Sequence, residues 1–163
     1  MDQSIEARQK VWDLIKNIRV AMFVTQDSDG RLAARPMSAV NKTFDGALWF
    51  MTAGDSAKLD ELRASTNVLV AYAEPKDQNY VSARGRAEIV RDQAKVREFW
   101  SEAARVWFPG GPEESDIALI KVEVDSAEYW DAPSAMMVYV YGYAKARLTG
   151  EPPDLGETRK VGF

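Results

Sequence analysis

The stretch VAMFVTQDSDGRLAARPMSAVNKTFDGALWFMT, residues 20–52, decides the fold class. Two turn signals, Ser28-Asp29-Gly30 and Phe44-Asp45-Gly46, divide it into three runs rich in strand-forming residues, at 20–26, 31–42 and 47–52. Strands joined by such short turns pair as hairpins, whereas a parallel sheet needs a crossover of a dozen or more residues. The stretch therefore predicts consecutive antiparallel strands and argues against a Rossmann-type sheet.

The rest of the chain extends this pattern. Further strands are predicted at 67–73, at 80–90 with a bend at Gly85, at 117–124 continuing toward Trp130, and at 135–143. Helices are predicted after a cap at Ser4, at 57–64, and from Asp92 along an apolar stripe of Val96, Phe99, Trp100, Ala103 and Trp107. Residues 151–163, with two consecutive prolines, are expected to form a mobile tail.

These elements predict a mainly β fold with flanking helices (α+β). Six to seven antiparallel strands accompany two good helices, with neither an internal repeat nor a linker midway. A closed or partly closed antiparallel barrel suits this balance, because closure removes exposed strand edges. We expect one domain over residues 1–150.

Histidine and cysteine are both absent from the 163 residues. Their absence excludes disulfides, zinc–cysteine clusters, imidazole-ligated haem, cysteine nucleophiles and the Ser-His-Asp triad. A general acid or base would have to be Asp, Glu, Lys or Tyr. An enzyme of this composition is therefore expected to depend on a bound cofactor.

The net charge of −4 argues against nucleic acid or an anionic membrane as the main partner, because both require a basic surface. No uncharged apolar run approaches the roughly 18–20 residues of a membrane span. The N-terminal MDQSIEARQK is too polar for a signal peptide. We expect a cytoplasmic protein that binds a small molecule.

Two polar stretches are candidate binding sites. Gly54-Asp55-Ser56-Ala57-Lys58 lies between a strand and a helix, where free N–H groups, a hydroxyl and a lysine could cradle a phosphate. An ordinary capped helix is the alternative interpretation. In Arg35-Pro36-Met37-Ser38-Ala39-Val40, Pro36 marks an edge strand or an irregular position, and Arg35 could either reach a phosphate or face solvent.

The aromatic and acidic residues allow further interpretations. Trp12, Trp49, Trp100 and Trp107 lie on periodic apolar faces and are predicted to be core. Trp130 ends a strand, where it could stack on a ligand, enter a partner chain or line the rim of the core. The acidic group Glu113, Glu114 and Asp116 is predicted to be a solvated loop rather than a metal site.

Taken in order, these motifs resemble a known family. The N-terminal helix is followed by Arg35-Pro36-Met37-Ser38, then Trp49-Phe50-Met51-Thr52, Ser56-Ala57-Lys58, Gly85-Arg86-Ala87-Glu88-Ile89-Val90, Trp107-Phe108-Pro109-Gly110-Gly111 and Glu128-Tyr129-Trp130-Asp131. This order resembles the pyridoxamine-5′-phosphate-oxidase-like, FMN-binding split-barrel superfamily, and within it the bacterial general stress protein branch. The resemblance covers roughly residues 5–131.

The resemblance implies a homodimer with two FMN sites at the subunit interface. It implies that Arg35, Ser56 and Lys58 hold the FMN phosphate. The backbone of Arg35, Pro36, Met37, Ser38, Ala39 and Val40 would follow the isoalloxazine ring, which Met51 and Thr52 would contact from the neighbouring strand. Tyr80 stands where the oxidase has a glutamine that contacts flavin, and Trp130 matches a tryptophan that approaches the flavin from the other protomer.

The chain departs from the true oxidase after Trp130. The oxidase binds its pyridoxal-type substrate with an arginine and a histidine, and Met136 and Val138 occupy their approximate positions here. A further FMN-contacting arginine is replaced near Val140. We therefore expect a general-stress-type flavin-dependent oxidoreductase rather than a pyridoxamine-phosphate oxidase. A non-enzymatic binder of flavin or another phosphorylated ligand, and a dimeric barrel without cofactor, are the alternatives.

Overall fold

Seven antiparallel strands form one sheet in the computed structural model, which describes residues 2–131, 147 and 157–163. The strands are β1 (Ala21–Gln26), β2 (Leu32–Met37), β3 (Ala47–Ala53), β4 (Asn67–Glu74), β5 (Asn79–Val90), β6 (Ile117–Asp131) and β7 (Glu157–Gly162). The predicted antiparallel α+β fold is confirmed. The strand predicted at 135–143 lies outside the described residues.

Four helices flank the sheet in the described residues. They are α1 (Ile5–Ile15), α2 (Ala57–Ala64), α3 (Gln93–Phe99) and the single turn α4 (Gly111–Glu114), and a 3-10 turn spans Glu102–Val106. The Ser4 hydroxyl caps α1 by accepting the N–H of Ala7 at 3.1 Å, as the sequence predicts. No helix in these ranges is long and apolar enough to cross a bilayer.

The prediction of one long helix from Asp92 to Trp107 is wrong. Asp92 caps α3, but the chain leaves the helical conformation at Trp100, whose ψ is 139°. The 3-10 turn that follows carries no buried residue, and Trp107 is 80% exposed instead of core. Helical periodicity did not reveal the break, because apolar residues on both sides of it still pack against the sheet: Phe99 lies 5.2 Å from Trp49 between ring centroids, and Trp100 and Phe108 pack on the same core cluster.

The sheet has the order β2-β1-β4-β5-β6-β3, with β7 paired to β6 beyond the end of β3. It is not closed. The residues after β2 nevertheless cross to the opposite edge, where Ala39 bridges Phe50 and the N–H of Val40 donates to the carbonyl of Trp49 at 2.8 Å. The strand predicted over 31–42 therefore ends at Met37, because its last residues pair with β3 rather than β1.

The C-terminal residues form a strand that the sequence interpretation missed. β7 pairs with β6 from Glu157↔Asp131 to Gly162↔Ser126, and Val161 is fully buried. The N–H of Gly162 also donates to the carbonyl of Asp2 at 2.7 Å. The expectation of a mobile tail is corrected for this part of 151–163, because Val161 has an apolar site in the core.

Register assigns the side chains of the sheet to an inner and an outer face. One row runs Arg35, Phe23, Val70, Ala83 and Ala127 across five strands, and its four apolar members are 0–3% exposed. This inner face carries the core. The neighbouring row, Pro36, Met22, Ala71, Ser82 and Glu128, lies on the outer face.

The β5–β6 pairing is irregular at Gly85, where the sequence predicts a bend. The β5–β6 register shifts between Arg84 and Gly85. A Cβ at Gly85 would overlap the backbone carbonyl oxygen of Glu123, so only glycine allows this close approach. The extra residue of this bulge is Asp125 on β6, which has no partner between the pairs Arg84↔Ser126 and Gly85↔Val124.

Candidate functional site

Lys58 lies at the start of α2, beside the end of β3. Its Nζ donates to Thr52 Oγ1 at 2.7 Å and to Ser56 Oγ at 2.6 Å. Ser56 is the N-cap residue by position, but its hydroxyl makes no capping bond to the helix. The ordinary capped-helix interpretation therefore does not hold for Ser56, whose hydroxyl helps to position Lys58.

The surroundings of Lys58 disfavour its charged form. Partial burial lowers the pKa of its ammonium group below the usual 10.5, and the positive charge of Arg35 lowers the pKa further. The negative charge of Glu61 raises the pKa in the opposite direction. Burial and the charge of Arg35 both destabilise the charged form of Lys58. An anion bound beside Lys58 would stabilise that form by pairing with its ammonium group.

Arg35 lies on β2 with its guanidinium partly buried. Nη1 donates to Thr25 Oγ1 and Nη2 to Glu61 Oε2, both at 2.6 Å. The hydroxyl of Thr25 donates in turn to Glu61. These two contacts use two of the five guanidinium N–H donors and fix the plane of the group.

The structure brings Arg35, Thr52, Ser56 and Lys58 together, although they come from three separate elements. We name these four residues, with Thr25 and Glu61, the Arg–Lys cluster. Sequence reasoning missed Thr25 and Glu61. Two features of the sequence could have indicated them. Glu61 follows Lys58 by one helical turn, which places both on one face of α2, and Thr25 is a polar residue on the apolar face of β1.

The predicted ring-binding segment follows the cluster along the chain. Met37 is buried, Pro36 and Ser38 are exposed, and Ala39 and Val40 lie against β3 through the contacts to Phe50 and Trp49. Met51 is half-buried and Thr52 is buried on β3. These backbone contacts join the crossing segment to β3, and Arg35 on β2 and Thr52 on β3 connect both strands to the cluster.

Tyr80 and Trp130 lie away from this group. Tyr80 on β5 pairs directly with Trp130 on β6. Each lies two residues along its strand from the outer-face pair of Ser82 and Glu128, so Tyr80 and Trp130 also lie on the outer face. Trp130 is 39% exposed. Arg35 belongs to the inner face, so the chain does not bring its own Trp130 to the Arg–Lys cluster.

A cleft beside α2 and an acidic group near α4 lie outside the Arg–Lys cluster. An open cleft of about 620 Å³ beside the end of α2 is lined by residues that include Arg63, Arg86 and Glu123, and none of the Arg–Lys cluster borders it. The acidic residues near α4 form ion pairs, Glu113 with Arg97 at 2.6 Å and Asp116 with Arg91 at 2.9 Å. In the described residues they do not group into a metal site.

Comparison with known families agrees with this geometry. The family model described as "Pyridoxamine 5′-phosphate oxidase like" matches residues 6–154, most of the chain.

The chain belongs to the pyridoxamine 5′-phosphate oxidase-like family. Among curated proteins it is 26% identical to Protein bli-3 of Neurospora crassa over 99% of this chain and 83% of that protein.

Two solved structures of general stress proteins are similar to this member of the pyridoxamine 5′-phosphate oxidase-like family. General stress protein 26 of Jannaschia sp. CCS1 is 29% identical with a TM-score of 0.77, over 98% of this chain and 100% of that one. The general stress FMN/FAD binding protein of Xanthomonas citri is 28% identical with a TM-score of 0.66, over 78% of this chain and 90% of that one. The family and split-barrel resemblance seen in the sequence is thereby confirmed.

Proposed function

We propose that this protein binds FMN, with the phosphate at the Arg–Lys cluster, and acts as a flavin-dependent oxidoreductase of the general stress type. The observation that carries the proposal is the convergence of Arg35 and Lys58, from β2 and α2, within electrostatic reach of each other. Glu61 pairs with Arg35 and neutralises only one of these two charges, which leaves one positive charge for an anionic ligand. The similar Xanthomonas citri protein, which is described as FMN/FAD binding, supports a flavin as the ligand.

The residues fit a phosphate group. Arg35 and Lys58 supply charged donors, Thr52 and Ser56 supply hydroxyls, and the first N–H groups of α2 lie beside Ser56. Lys58 now donates to the two hydroxyls, whose own protons can turn to a phosphate oxygen. The site therefore has charge and donors of the kind that phosphate requires.

The ring would lie along the backbone from Arg35 to Val40, with Met51 and Thr52 on the neighbouring strand. β2 is an edge strand in the described sheet, paired only with β1. An edge offers backbone N–H and C=O groups to the polar side of a heterocycle. Bound FMN would supply hydride or electron transfer, while these residues would bind and orient the ring.

A second copy of the chain would complete the site. Trp130 and Tyr80 lie on the outer face, with the exposed Met22 and Leu32, and cannot cover a ligand held by Arg35 of the same chain. An outer face that exposes Met22, Leu32 and Trp130 suits contact between subunits. We therefore propose a homodimer in which Trp130 of one subunit approaches the flavin of the other.

The absorbance spectrum of the purified protein tests the proposal. A flavin spectrum, followed by bleaching with NADH or NADPH and continued turnover, supports a flavin-dependent oxidoreductase. A flavin spectrum without reduction supports flavin binding alone. Colourless protein whose thermal transition does not shift with added FMN contradicts both. The cytoplasmic location remains a prediction from the sequence.

A further inference from the structure

Glu61 places a carboxylate inside a site that otherwise suits anions. Its Oε2 accepts from Arg35 at 2.6 Å and from the hydroxyl of Thr25. Its charge also acts on Lys58, one helical turn earlier on α2. The side chains of Arg35 and Glu61 are only 22% and 21% exposed, so solvent screens this pair less than a surface pair.

The charges of the Arg–Lys cluster add to a single positive charge. Arg35 and Lys58 contribute two cations, and Glu61 contributes one anion. A singly charged phosphate or sulfate ester would match this sum. A phosphate monoester carries close to two negative charges above its second pKa of about 6 and would exceed it.

Glu61 also orients Arg35. Together with Thr25 it holds one edge of the guanidinium, which directs the remaining N–H donors away from the carboxylate. Glutamine at position 61 would keep an oxygen that accepts from Arg35 and remove the charge. The Glu61→Gln variant therefore separates the orientation of Arg35 from the effect of the negative charge at position 61.

We infer that Glu61 is a specificity-determining residue that limits the preference of the cluster for doubly charged over singly charged phosphate-type groups. The inference rests on the proposed function, because it assigns a role within the same site. The charge of Glu61 is negative, whereas the charges of Arg35 and Lys58 are positive. Removal of its charge should tighten the binding of anionic ligands.

Three ligands that share one ring measure this effect. They are FMN, riboflavin 5′-sulfate and riboflavin, with about two, one and no negative charges on the side chain at pH 8. For Glu61→Gln we expect about threefold tighter binding per unit of ligand charge, as for partly screened charges. FMN would bind about tenfold tighter, the sulfate ester about threefold tighter, and riboflavin unchanged, with affinity measured by flavin fluorescence.

Asp60→Asn is the matched control. Asp60 is the neighbouring acidic residue on α2 and pairs with Arg63 at the surface, so its neutralisation changes the net charge equally but away from Arg35. It should leave the three affinities unchanged. Unchanged or weaker FMN binding by a folded Glu61→Gln variant, or an equal gain from Asp60→Asn, would overturn the inference.

The wild-type protein provides a second measurement that does not depend on the folding of a variant. With one net positive charge, it should bind FMN no more than about threefold tighter than the sulfate ester. A preference above roughly tenfold would overturn the inference while leaving the phosphate site intact. Equal affinity for FMN and riboflavin would instead contradict the proposed function, and the inference with it.

Discussion

Arg35 and Trp130 face opposite sides of the same sheet. Arg35 pairs with Phe23 in the row that leads through the core, and Trp130 lies on the outer face one residue beyond the buried Tyr129. Strand register fixes this relationship, since side chains alternate between faces along each strand. We therefore expect that a flavin held by Arg35 is covered by Trp130 of a second chain.

Loss of either cation should weaken FMN binding. Lys58→Ala and Arg35→Ala each remove a charge-assisted hydrogen bond, which is worth about 1–3 kcal/mol, or roughly 5- to 150-fold in affinity. Riboflavin, which has no phosphate, should bind as before. Calorimetric titration of both ligands measures the difference.

The exposed turn residue Lys76 offers a matched control for this experiment. Lys76→Ala removes a lysine far from the Arg–Lys cluster in the fold and should leave both affinities unchanged. If FMN binds equally well to the wild type, Lys58→Ala and Arg35→Ala, the assignment of the phosphate site is wrong.

FMN binding should depend on pH through Lys58. Its ammonium group must be charged to attract phosphate, and burial together with Arg35 lowers its pKa below 10.5. The affinity should therefore fall as the pH rises, beginning below the usual range of lysine. The ratio of FMN to riboflavin affinity, measured from pH 8 upward, isolates this effect because the two ligands share the ring.

Lys58→Arg is the control for the pH dependence, because arginine keeps its charge throughout this range. The variant should retain a constant ratio where the wild type declines. A wild-type ratio that stays level up to the usual lysine range would show that the pKa of Lys58 is not lowered.

Gly85→Ala should destabilise the protein. The added methyl group meets the carbonyl oxygen of Glu123, and relief requires movement of the β5–β6 backbone at the bulge. Overpacking of this kind costs about 1–3 kcal/mol in the free energy of unfolding. Urea denaturation measures it, with Arg84→Ala, an exposed neighbour, as the control; equal midpoints for the two variants would refute the close approach.

Val161→Ala tests whether β7 belongs to the folded core. Val161 is fully buried, whereas Thr158 on the same strand is exposed. Val161→Ala should lower the free energy of unfolding by about 1–3 kcal/mol, and Thr158→Ala should leave it nearly unchanged. Similar stabilities of the two variants would mean that the C-terminal strand contributes little.

Sequence reasoning succeeded where the pattern is local. The hairpin of β1 and β2 follows from turn residues and alternation, and the cap at Ser4 and the bounds of α2 follow from a few adjacent residues. The turn at Phe44-Asp45-Gly46 does not reveal that β3 pairs along its length with β6. The irregular pairing at Gly85 was predictable because glycine inside a strand marks a bulge or close approach. The β1–β2 turn, the cap and the bounds of α2 are each determined by neighbouring residues of the chain, whereas the partner of Gly85, Glu123, lies on a distant strand.

Features that depend on distant contacts were missed. Trp107 lies on a helical period with Phe99, yet the chain breaks at Trp100 and leaves Trp107 exposed. β7 has only one buried apolar side chain in its first five residues, so its strand pattern is too weak to detect without β6. Glu61 could be placed beside Arg35 only once β2 and α2 were packed together.

Mixed dimers test the central claim most directly. Co-expression of Lys58→Ala and Trp130→Ala chains with different affinity tags yields a heterodimer in which one site has both residues intact and the other has neither. We predict that each homodimeric variant binds FMN weakly, and that the heterodimer recovers one site per dimer with wild-type affinity. A heterodimer whose two sites are both as weak as those of the homodimers would contradict a site shared between subunits.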